Sequence, residues 1–330
     1  MQRRQVLALL TAPATGLVAG CSSGDGSETP TATATSTATG TETPTATETS
    51  TPTETETPTA TETATPGGPE REGNAAIAEV EKTLNAVVAT YGGADSDSLL
   101  GADASSTDFP SRRIDDALDE AEGELEVARE RAVTREQERT VERLAVTIRF
   151  LDLATRIQIA LNNAYFALDR ARAELSREDG SAARDNLQRM ANERAVAVPI
   201  LERLRTETDA ASVSVIDRID TATYEAKVAQ FAAEIAVMGR IRSRAETLSR
   251  AVDRLQTARQ QEANNSDSAA ETASDAADEL ESVETALRSL LDEFGDDAAS
   301  LRPLTTQLAE MAATKARDAQ EIAGETTSTE

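Results

Sequence analysis

The 330-residue sequence contains no histidine, no tryptophan and a single cysteine, and aromatic residues make up only 2% of it. Without histidine the chain cannot form a Ser-His-Asp constellation, a di-iron bundle of the Glu-x-x-His kind or most zinc sites. It also lacks a glycine-rich phosphate-binding loop. The one cysteine, Cys21, has no second cysteine to pair with and no histidine to activate it as a nucleophile. We therefore expect a protein that is not an enzyme and that carries no cofactor.

Basic residues are also scarce: the chain has 59 acidic residues and 33 basic ones, which gives a net charge of −26. Only three of the basic residues are lysines, Lys82, Lys227 and Lys315. Such a surface repels nucleic acids and anionic membrane surfaces, so we expect neither as a partner. High charge with low hydrophobicity indicates disorder, which fits residues 22–73. For residues 74–330 the acidity indicates adaptation to concentrated salt, where a Debye length of about 3 Å screens self-repulsion.

The first 21 residues read as an export and lipidation signal. Arg3 and Arg4 precede a short apolar run that is interrupted by proline and glycine. A bilayer span needs about 20 apolar residues, so this run is typical of a cleaved signal peptide over residues 1–20. The run ends in Val-Ala-Gly-Cys, which looks like a lipobox with Cys21 as the lipid-modified residue. The alternative is an uncleaved N-terminal helix in which the cysteine occurs by chance.

Residues 22–73 form a segment with almost no apolar side chains. From Thr29 to Thr65 every odd-numbered residue is threonine, and the residues between are proline, alanine, serine, glycine or glutamate. Repeated prolines remove the donors that a sheet needs, so the segment favours an extended, polyproline-like chain. We predict a disordered stalk, either O-glycosylated in the manner of mucins or unmodified. At about 3.1 Å per residue, the part from 29 to 66 would extend to about 120 Å.

Together, the twin arginine, the lipobox, the threonine-rich stalk and an acidic, lysine-poor domain resemble a secreted lipoprotein of the haloarchaeal type. The resemblance implies export of an already folded protein through recognition of Arg3 and Arg4. It also implies attachment to the outer, extracellular face of the cell membrane by lipid at Cys21. The resemblance covers about the first 70 residues and assigns no family to the rest of the chain.

From residue 74 onward the periodicity is helical, and no segment favours a strand. The pattern predicts an all-α domain: an elongated, up-and-down antiparallel bundle with long, coiled-coil-like helices. The helices are predicted at about 75–91, 111–132, 135–178, 181–207, 213–262, 269–294 and 298–323.

The third predicted helix carries the strongest pattern. Thr134 and Gln137 form a capping box at its start. Its apolar residues then recur at alternating spacings of four and three, which is a heptad seam: Phe150, Ala154, Ile157, Leu161, Ala164, Leu168, Ala171 and Leu175. A second apolar stripe on another face comprises Val141, Leu144, Ile148 and Leu151. A helix that is apolar on two faces is expected at the centre of the bundle.

Two features of the later helices also carry expectations. Pro199 should kink or restart the fourth helix, because proline lacks the backbone donor. The fifth helix has an alanine-rich seam that we expect to admit a close neighbour: Ala222, Ala226, Ala229, Ala233 and Ala236.

The sequence offers few candidate ligand sites. Asp95, Asp97, Asp103 and Asp108 lie in one polar loop and form a candidate calcium site, although the loop lacks the pattern of an EF-hand; the alternative is a solvated acidic loop. Asn264 begins an Asn-Asn-Ser tripeptide and is a candidate N-glycosylation site. The aromatic residues Tyr165, Phe166, Tyr224 and Phe231 either line a ligand pocket between the two long helices or fill the core, and core filling is the favoured interpretation.

Two functions from different classes remain. The first is a membrane-anchored surface protein whose bundle acts as a non-enzymatic structural or interaction module with an envelope protein as partner. The second is a solute- or cation-binding lipoprotein that serves a transporter or sensor. The absence of a strand pattern ranks the second lower, because transport-linked binding lobes are typically built around sheets.

Overall fold

The structure, a computed structural model, describes residues 67–93, 96 and 98–327. Eight α-helices lie in these ranges, and no strand does, which confirms the predicted all-α class: α1 Gly68–Gly92, α2 Ser111–Arg131, α3 Arg135–Ser176, α4 Gly180–Glu207, α5 Ala210–Val213, α6 Thr221–Ala263, α7 Ala269–Asp292 and α8 Arg302–Thr327. Two 3₁₀ turns, Leu99–Gly101 and Asp296–Leu301, precede α2 and α8. The predicted signal peptide with Arg3 and Arg4, the lipid site Cys21 and the stalk up to residue 66 lie outside the described residues.

The long helices alternate in direction, as predicted for an up-and-down bundle. Contacts across α4 and α6 show the antiparallel order: Arg184 binds Asp253, whereas Arg194, farther along α4, binds the carbonyl of Ile235, which lies earlier in α6. The same reversal relates α6 to α7, in which Arg240 pairs with Glu293 and Arg254 with Glu279. The two longest helices, α3 and α6, therefore run parallel to each other, with α4 antiparallel to both.

Two helical hairpins pack against different halves of this central group. At the start of α3, the Gln137 amide donates to the carbonyl of Glu70 in α1. At the other end of α1, the Tyr91 hydroxyl donates to the carbonyl of Ala154, near the middle of α3. The hairpin α1–α2 therefore covers the first half of the bundle, while α7–α8 packs along the second half of α6. The loop after α1 and the 3₁₀ turn before α8 meet in the first third of α6, at Glu234.

The heptad seam of α3 is buried along its whole length, and the second stripe is buried as well. Helix α3 thus packs on two faces, which confirms its predicted central position. The capping box at Thr134 and Gln137 is also confirmed, with both reciprocal hydrogen bonds present. No helix in the described part of the chain is both long enough and apolar enough to cross a membrane.

The first helix begins at Gly68, so residues 68–73 belong to the helical domain and not to the predicted stalk. Pro69 suits the first turn of a helix, where a backbone donor is not needed. Gly73 is buried, and a Cβ atom on it would lie 2.7 Å from the carbonyl oxygen of Arg131. The close contact with the end of α2 fixes the first turn of α1. Apolar periodicity in the sequence does not indicate such a contact, which is why the predicted start was too late.

Helix α6 corresponds to the fifth predicted helix, but it begins at Thr221 and not at 213. The Asp220 carboxylate caps it by accepting from the backbone N–H of Thr223. Residues 214–220 instead form turns, from which Ile216 and Ile219 bury their side chains in the core. Apolar residues that pack from a turn mimic part of a helical pattern, which explains the incorrect boundary.

The predicted alanine seam of α6 is wrong: Ala222, Ala229 and Ala236 are exposed, and the other two alanines are only partly buried. The bulkier residues on the neighbouring face form the packed surface instead. Helix α4 runs through Pro199 as one helix, so the proline does not restart it.

The turn between α3 and α4 is held by an ion-pair network centred on Glu178. This residue has a φ of 65°, in the left-handed region. Its carboxylate accepts from Arg259 of α6 and from Lys315 of α8, and Arg259 also binds Asp318 at 3.0 Å. Burial favours a higher pKa for Glu178, but the hydrogen bonds from the two cations outweigh it and lower the pKa. The network ties the turn between α3 and α4 to helices α6 and α8.

Replacement of a seam residue tests the importance of this packing. Leu161→Ala removes a fully buried side chain from α3 and should lower the free energy of unfolding by about 2–5 kcal/mol, because it leaves a cavity. Urea titration in molar KCl, followed by circular dichroism, measures the change.

Phe166→Ala is the matched control, because Phe166 lies on the same helix and is 43% exposed. It should cost less than about 1 kcal/mol. Equal losses from the two substitutions would contradict the assignment of the seam.

Candidate functional site

The structure describes two of the four residues of the candidate calcium site. The Asp103 carboxylate accepts from the backbone N–H and the hydroxyl of Ser105 and from the hydroxyl of Ser106, so it is engaged within its own loop. Asp108 is exposed, whereas Asp95 and Asp97 lie outside the described residues. Among the residues that are described, no group of three acidic side chains is placed to hold a metal ion. The calcium site stays a prediction.

The other predicted positions are separated in the fold. Asn264 ends α6 and is exposed, so N-glycosylation there stays a prediction that is sterically open. Tyr224 packs against Phe150 with 5.0 Å between ring centroids, and Phe231 is fully buried. Phe166 instead lies on the surface. The buried aromatic residues therefore fill the core, as the favoured interpretation predicted.

The most unusual feature is a group of buried polar side chains where the loop after α1 meets the middle of the bundle. We call it the junction cluster; it comprises Tyr91 of α1, Gln158 and Asn162 of α3, and Lys227, Gln230 and Glu234 of α6. All of these except Gln230 are buried, and Lys227 and Glu234 are fully so. Polar groups at this depth need partners, since an unpaired one costs about 1–3 kcal/mol.

Lys227 has a partner for each of its three ammonium hydrogens. Its Nζ donates to the carbonyl of Ala102 at 2.6 Å, to Oε1 of Gln230 at 3.1 Å and to Oε1 of Gln158 at 3.2 Å. The ammonium also lies 4.5 Å from the ring centroid of Phe231 and 5.1 Å from that of Tyr91. Lys227 makes no ion pair within the described part of the chain. Its charge is stabilised by carbonyl dipoles and aromatic faces in place of a carboxylate.

Two amides of α3 hold the same loop from the opposite side. Gln158 donates to the carbonyl of Asp103 at 2.6 Å. Asn162, one turn later, donates to the carbonyls of Asp103 and Ala104 at 3.1 and 3.0 Å. Because residues four apart share a helix face, the two side chains act together. They supply the donors that this buried, irregular backbone cannot find in a helix or sheet.

Glu234 connects this loop to the C-terminal hairpin. Its Oε1 accepts from the backbone N–H of Ala104 at 3.0 Å and from the hydroxyl of Ser300 at 2.8 Å. Ala104 follows α1, and Ser300 lies in the 3₁₀ turn before α8. The second oxygen, Oε2, is buried and has no hydrogen-bond partner. One carboxylate thus joins segments of both hairpins, with half of its hydrogen-bonding capacity unused.

Burial shifts both ionisable groups toward neutrality. It lowers the pKa of Lys227 from 10.5 to about 7, and the negative charges of Glu234 and Asp103 oppose that shift. Burial also raises the pKa of Glu234 from 4.5 to about 7, opposed by the hydrogen bonds from Ala104 and Ser300 and by the charge of Lys227. The phenol of Tyr91 has a raised pKa and stays neutral in this range. The cluster therefore titrates near neutral pH.

A buried lysine of lowered pKa and a buried carboxyl of raised pKa are also the groups used for general acid–base or amine chemistry. Such chemistry requires contact with a substrate, and Lys227 and Glu234 have no solvent exposure. All hydrogens of the ammonium and one carboxylate oxygen bind the protein itself. The arrangement is suited to fixing the loop after α1 and the turn before α8 on the central helices.

The sequence contains a signal for this cluster that its periodicity alone does not reveal. Lys227 and Glu234 are seven residues apart, which places them on one helix face. That face also carries Phe231 and Met238, so two charged residues interrupt an apolar stripe. Lysine is rare in this chain, and a lysine in an apolar stripe indicates a specific internal partner. The identity of the partner depends on the loop, which no periodicity describes.

Comparison of the chain with protein-family models, with curated proteins and with solved structures finds no match.

The pH dependence of stability tests the buried pair. For Glu234 the raised pKa means that the folded state holds its proton more tightly than the unfolded state. Its contribution to stability should fall as pH rises from 4.5 to about 7. For Lys227 the lowered pKa means that the unfolded state binds the proton more tightly, so its contribution should rise from pH 7 toward 10.5. Wild-type stability should therefore have a local minimum near neutrality.

Urea unfolding at constant KCl, measured at several pH values, compares the wild type with two variants. Glu234→Gln should abolish the fall on the acidic side, and Lys227→Met should abolish the rise on the alkaline side. Lys82→Met, which alters an exposed lysine, is the control and should leave both slopes unchanged up to about pH 10. Differences between wild type and variants that do not vary with pH would contradict the assignment.

Proposed function

We propose that this protein is an exported lipoprotein of concentrated-salt environments, anchored by Cys21 to the outer face of the cell membrane. In this proposal the stalk holds a helical bundle away from the lipid surface. The bundle acts as a structural or interaction module for another envelope component and not as an enzyme.

The anchoring part of the proposal is supported by the N-terminal sequence. Arg3 and Arg4 suit a twin-arginine export signal, and the lipobox places Cys21 at the start of the mature chain. A single lipid unit gives only limited membrane affinity, so contacts with an envelope partner would strengthen retention. The threonine-rich stalk has the composition of a spacer.

The observation that carries the non-enzymatic role is the use of the junction cluster. Two groups with strongly shifted pKa values, Lys227 and Glu234, are buried away from solvent and bind the protein's own loop and turn. Reactive groups held in this way favour a role in fixing the architecture. A bundle with a rigid joint between two hairpins is suited to presenting a fixed surface at the end of a tether.

The surface of the bundle favours polar recognition of a partner. Many of its arginines pair with carboxylates, as in the contact of Arg149 with Glu207 and Asp152. Large exposed apolar side chains are few: Leu100, Val127, Val133, Phe166, Val196 and Val198 among the described residues. A partner that binds this surface in concentrated salt would depend on close hydrogen bonds, since long-range attraction is screened.

Substitution of the lipid site tests the anchor. Cys21→Ser removes the thiol to which lipid would be attached, so the protein should move from the membrane fraction to the culture medium. Fractionation of cells followed by detergent-phase partition measures the change. Ser22→Ala is the matched control and should leave the protein on the membrane. Retention of the Cys21→Ser protein on membranes to the wild-type extent would contradict the proposal.

Cross-linking on intact cells tests the interaction role. A membrane-impermeant carbodiimide joins surface carboxylates to amines of an adjacent protein, and the bundle is rich in the former. We expect a discrete adduct with one envelope protein for the anchored wild type and none for the released Cys21→Ser protein. An anchored wild type that yields no adduct, yet turns over a small solute, would overturn the proposed role.

A further inference from the structure

A hollow of 290 Å³ lies between α4 and α6, on the face that carries the exposed alanines of α6. We call it the arginine pocket; it is lined by Ala191, Arg194, Ala236, Gly239, Arg240 and Arg242. Three of these residues have small side chains, which leaves space between the helices. Its other lining residues are all arginines.

An all-arginine lining is unexpected in a chain with a net charge of −26. Carboxylates outnumber basic groups on this protein, yet none of those on the described residues lines the pocket. Three arginines beside one hollow repel one another, and nearby negative charge offsets that repulsion.

Two of the three arginines have carboxylate partners beyond the pocket. Arg240 pairs with Glu293 at the end of α7, and Arg242 pairs with Glu246 at 2.8 Å. The Nε of Arg242 is nevertheless buried without a hydrogen-bond partner. The three arginines of the pocket thus outnumber these two carboxylate partners.

Arg194 has no ion pair within the described residues. On α4, the residues three and four positions before and after Arg194 share its helix face, and each is methionine, alanine or valine. The neighbouring Glu193 faces α3, where it contacts Asn163. No carboxylate on α4 is therefore placed to neutralise Arg194.

Two contacts hold the Arg194 guanidinium in place at the pocket. Its Nε donates to the carbonyl of Ile235 at 2.7 Å. The group also lies flat against Gly239, since a Cβ atom on that glycine would be only 3.0–3.2 Å from Nε, Cζ and Nη2 of Arg194. A side chain that is already ordered loses little entropy when a ligand binds. Its Nη atoms donate to no acceptor among the described residues, so they remain available as donors.

We propose that the arginine pocket binds one oxyanion group, a carboxylate, sulfate or phosphate, with Arg194 as its principal ligand. The planar fork of a guanidinium matches two oxygens of such a group. The volume is at the lower limit of small-molecule sites, which suits a single charged group and not a large metabolite. The site is independent of the lipid anchor and adds an anionic ligand to the calcium that the sequence analysis considered.

Equilibrium dialysis of the folded protein in molar KCl tests the site, with radiolabelled sulfate, phosphate and acetate as separate probes. We expect one saturable site per chain for at least one probe. A preference for sulfate or phosphate identifies a tetrahedral ligand, and a preference for acetate identifies a carboxylate. The absence of saturable binding for all three probes would overturn the proposal.

Variants distinguish the pocket from general charge effects. Arg194→Met should weaken binding at least tenfold, and Arg194→Lys, which keeps the charge but not the fork, should weaken it less. Arg189→Met removes the same charge from the same helix outside the pocket and should have no effect. Equal losses from Arg189→Met and Arg194→Met would overturn the assignment.

Gly239→Ala is a second test that does not depend on the folding of the Arg194 variants. It keeps every charge and favours the helix, yet its Cβ atom would lie 3.0 Å from Nε of Arg194, so the guanidinium must shift. We expect binding to weaken several-fold while the helical circular dichroism signal is unchanged. Wild-type binding by this variant would contradict the proposed geometry.

Discussion

The architecture depends on how the chain provides hydrogen-bond partners for the buried backbone of the loop after α1. The carbonyls of Ala102, Asp103 and Ala104 enter the bundle where no helix or strand supplies donors. Lys227 and two amides of α3 supply them, and Glu234 holds the N–H of Ala104. Without these side chains the loop would have to leave the core, because unpaired backbone groups are costly at this depth. The packing of both hairpins against the central helices follows from this joint.

Arginine and lysine occupy different places in this protein, because buried polar groups need partners. Arginine forms nearly all of the surface ion pairs. Its planar guanidinium can form two parallel hydrogen bonds with a carboxylate, and it stays charged throughout the physiological pH range. Two of the three lysines instead bind inside the fold: Lys227 in the junction cluster and Lys315, which is 13% exposed, on Glu178. A compact ammonium satisfies several acceptors around one point, which a guanidinium of fixed geometry does less well in a confined space. Arg194 in the arginine pocket differs from the other surface arginines. Its guanidinium is held by the carbonyl of Ile235 and has no carboxylate partner among the described residues.

Particular residues show why the sequence predicted some elements and not others. The seam from Phe150 to Leu175 repeats one physical requirement, burial on one face, so its pattern identified α3 and its central place. The capping box at Thr134 is equally local. The starts of α1 and α6 were placed incorrectly because Gly73 and Ile216 owe their positions to contacts with other segments. The alanines of α6 are small enough for close packing, but small size alone does not bring a neighbour to that face.

The sequence by itself determined the all-helical class, the alternation of long helices, and the expectation of a stalked, exported and acidic protein. These properties follow from composition and from short-range periodicity, which depend on neighbouring residues only. Only the tertiary structure decided that Lys227 and Glu234 meet one loop and one turn, and that Arg194 lies at a hollow with no carboxylate beside it. Contacts of this kind join residues far apart in the chain, and their geometry depends on how the helices pack.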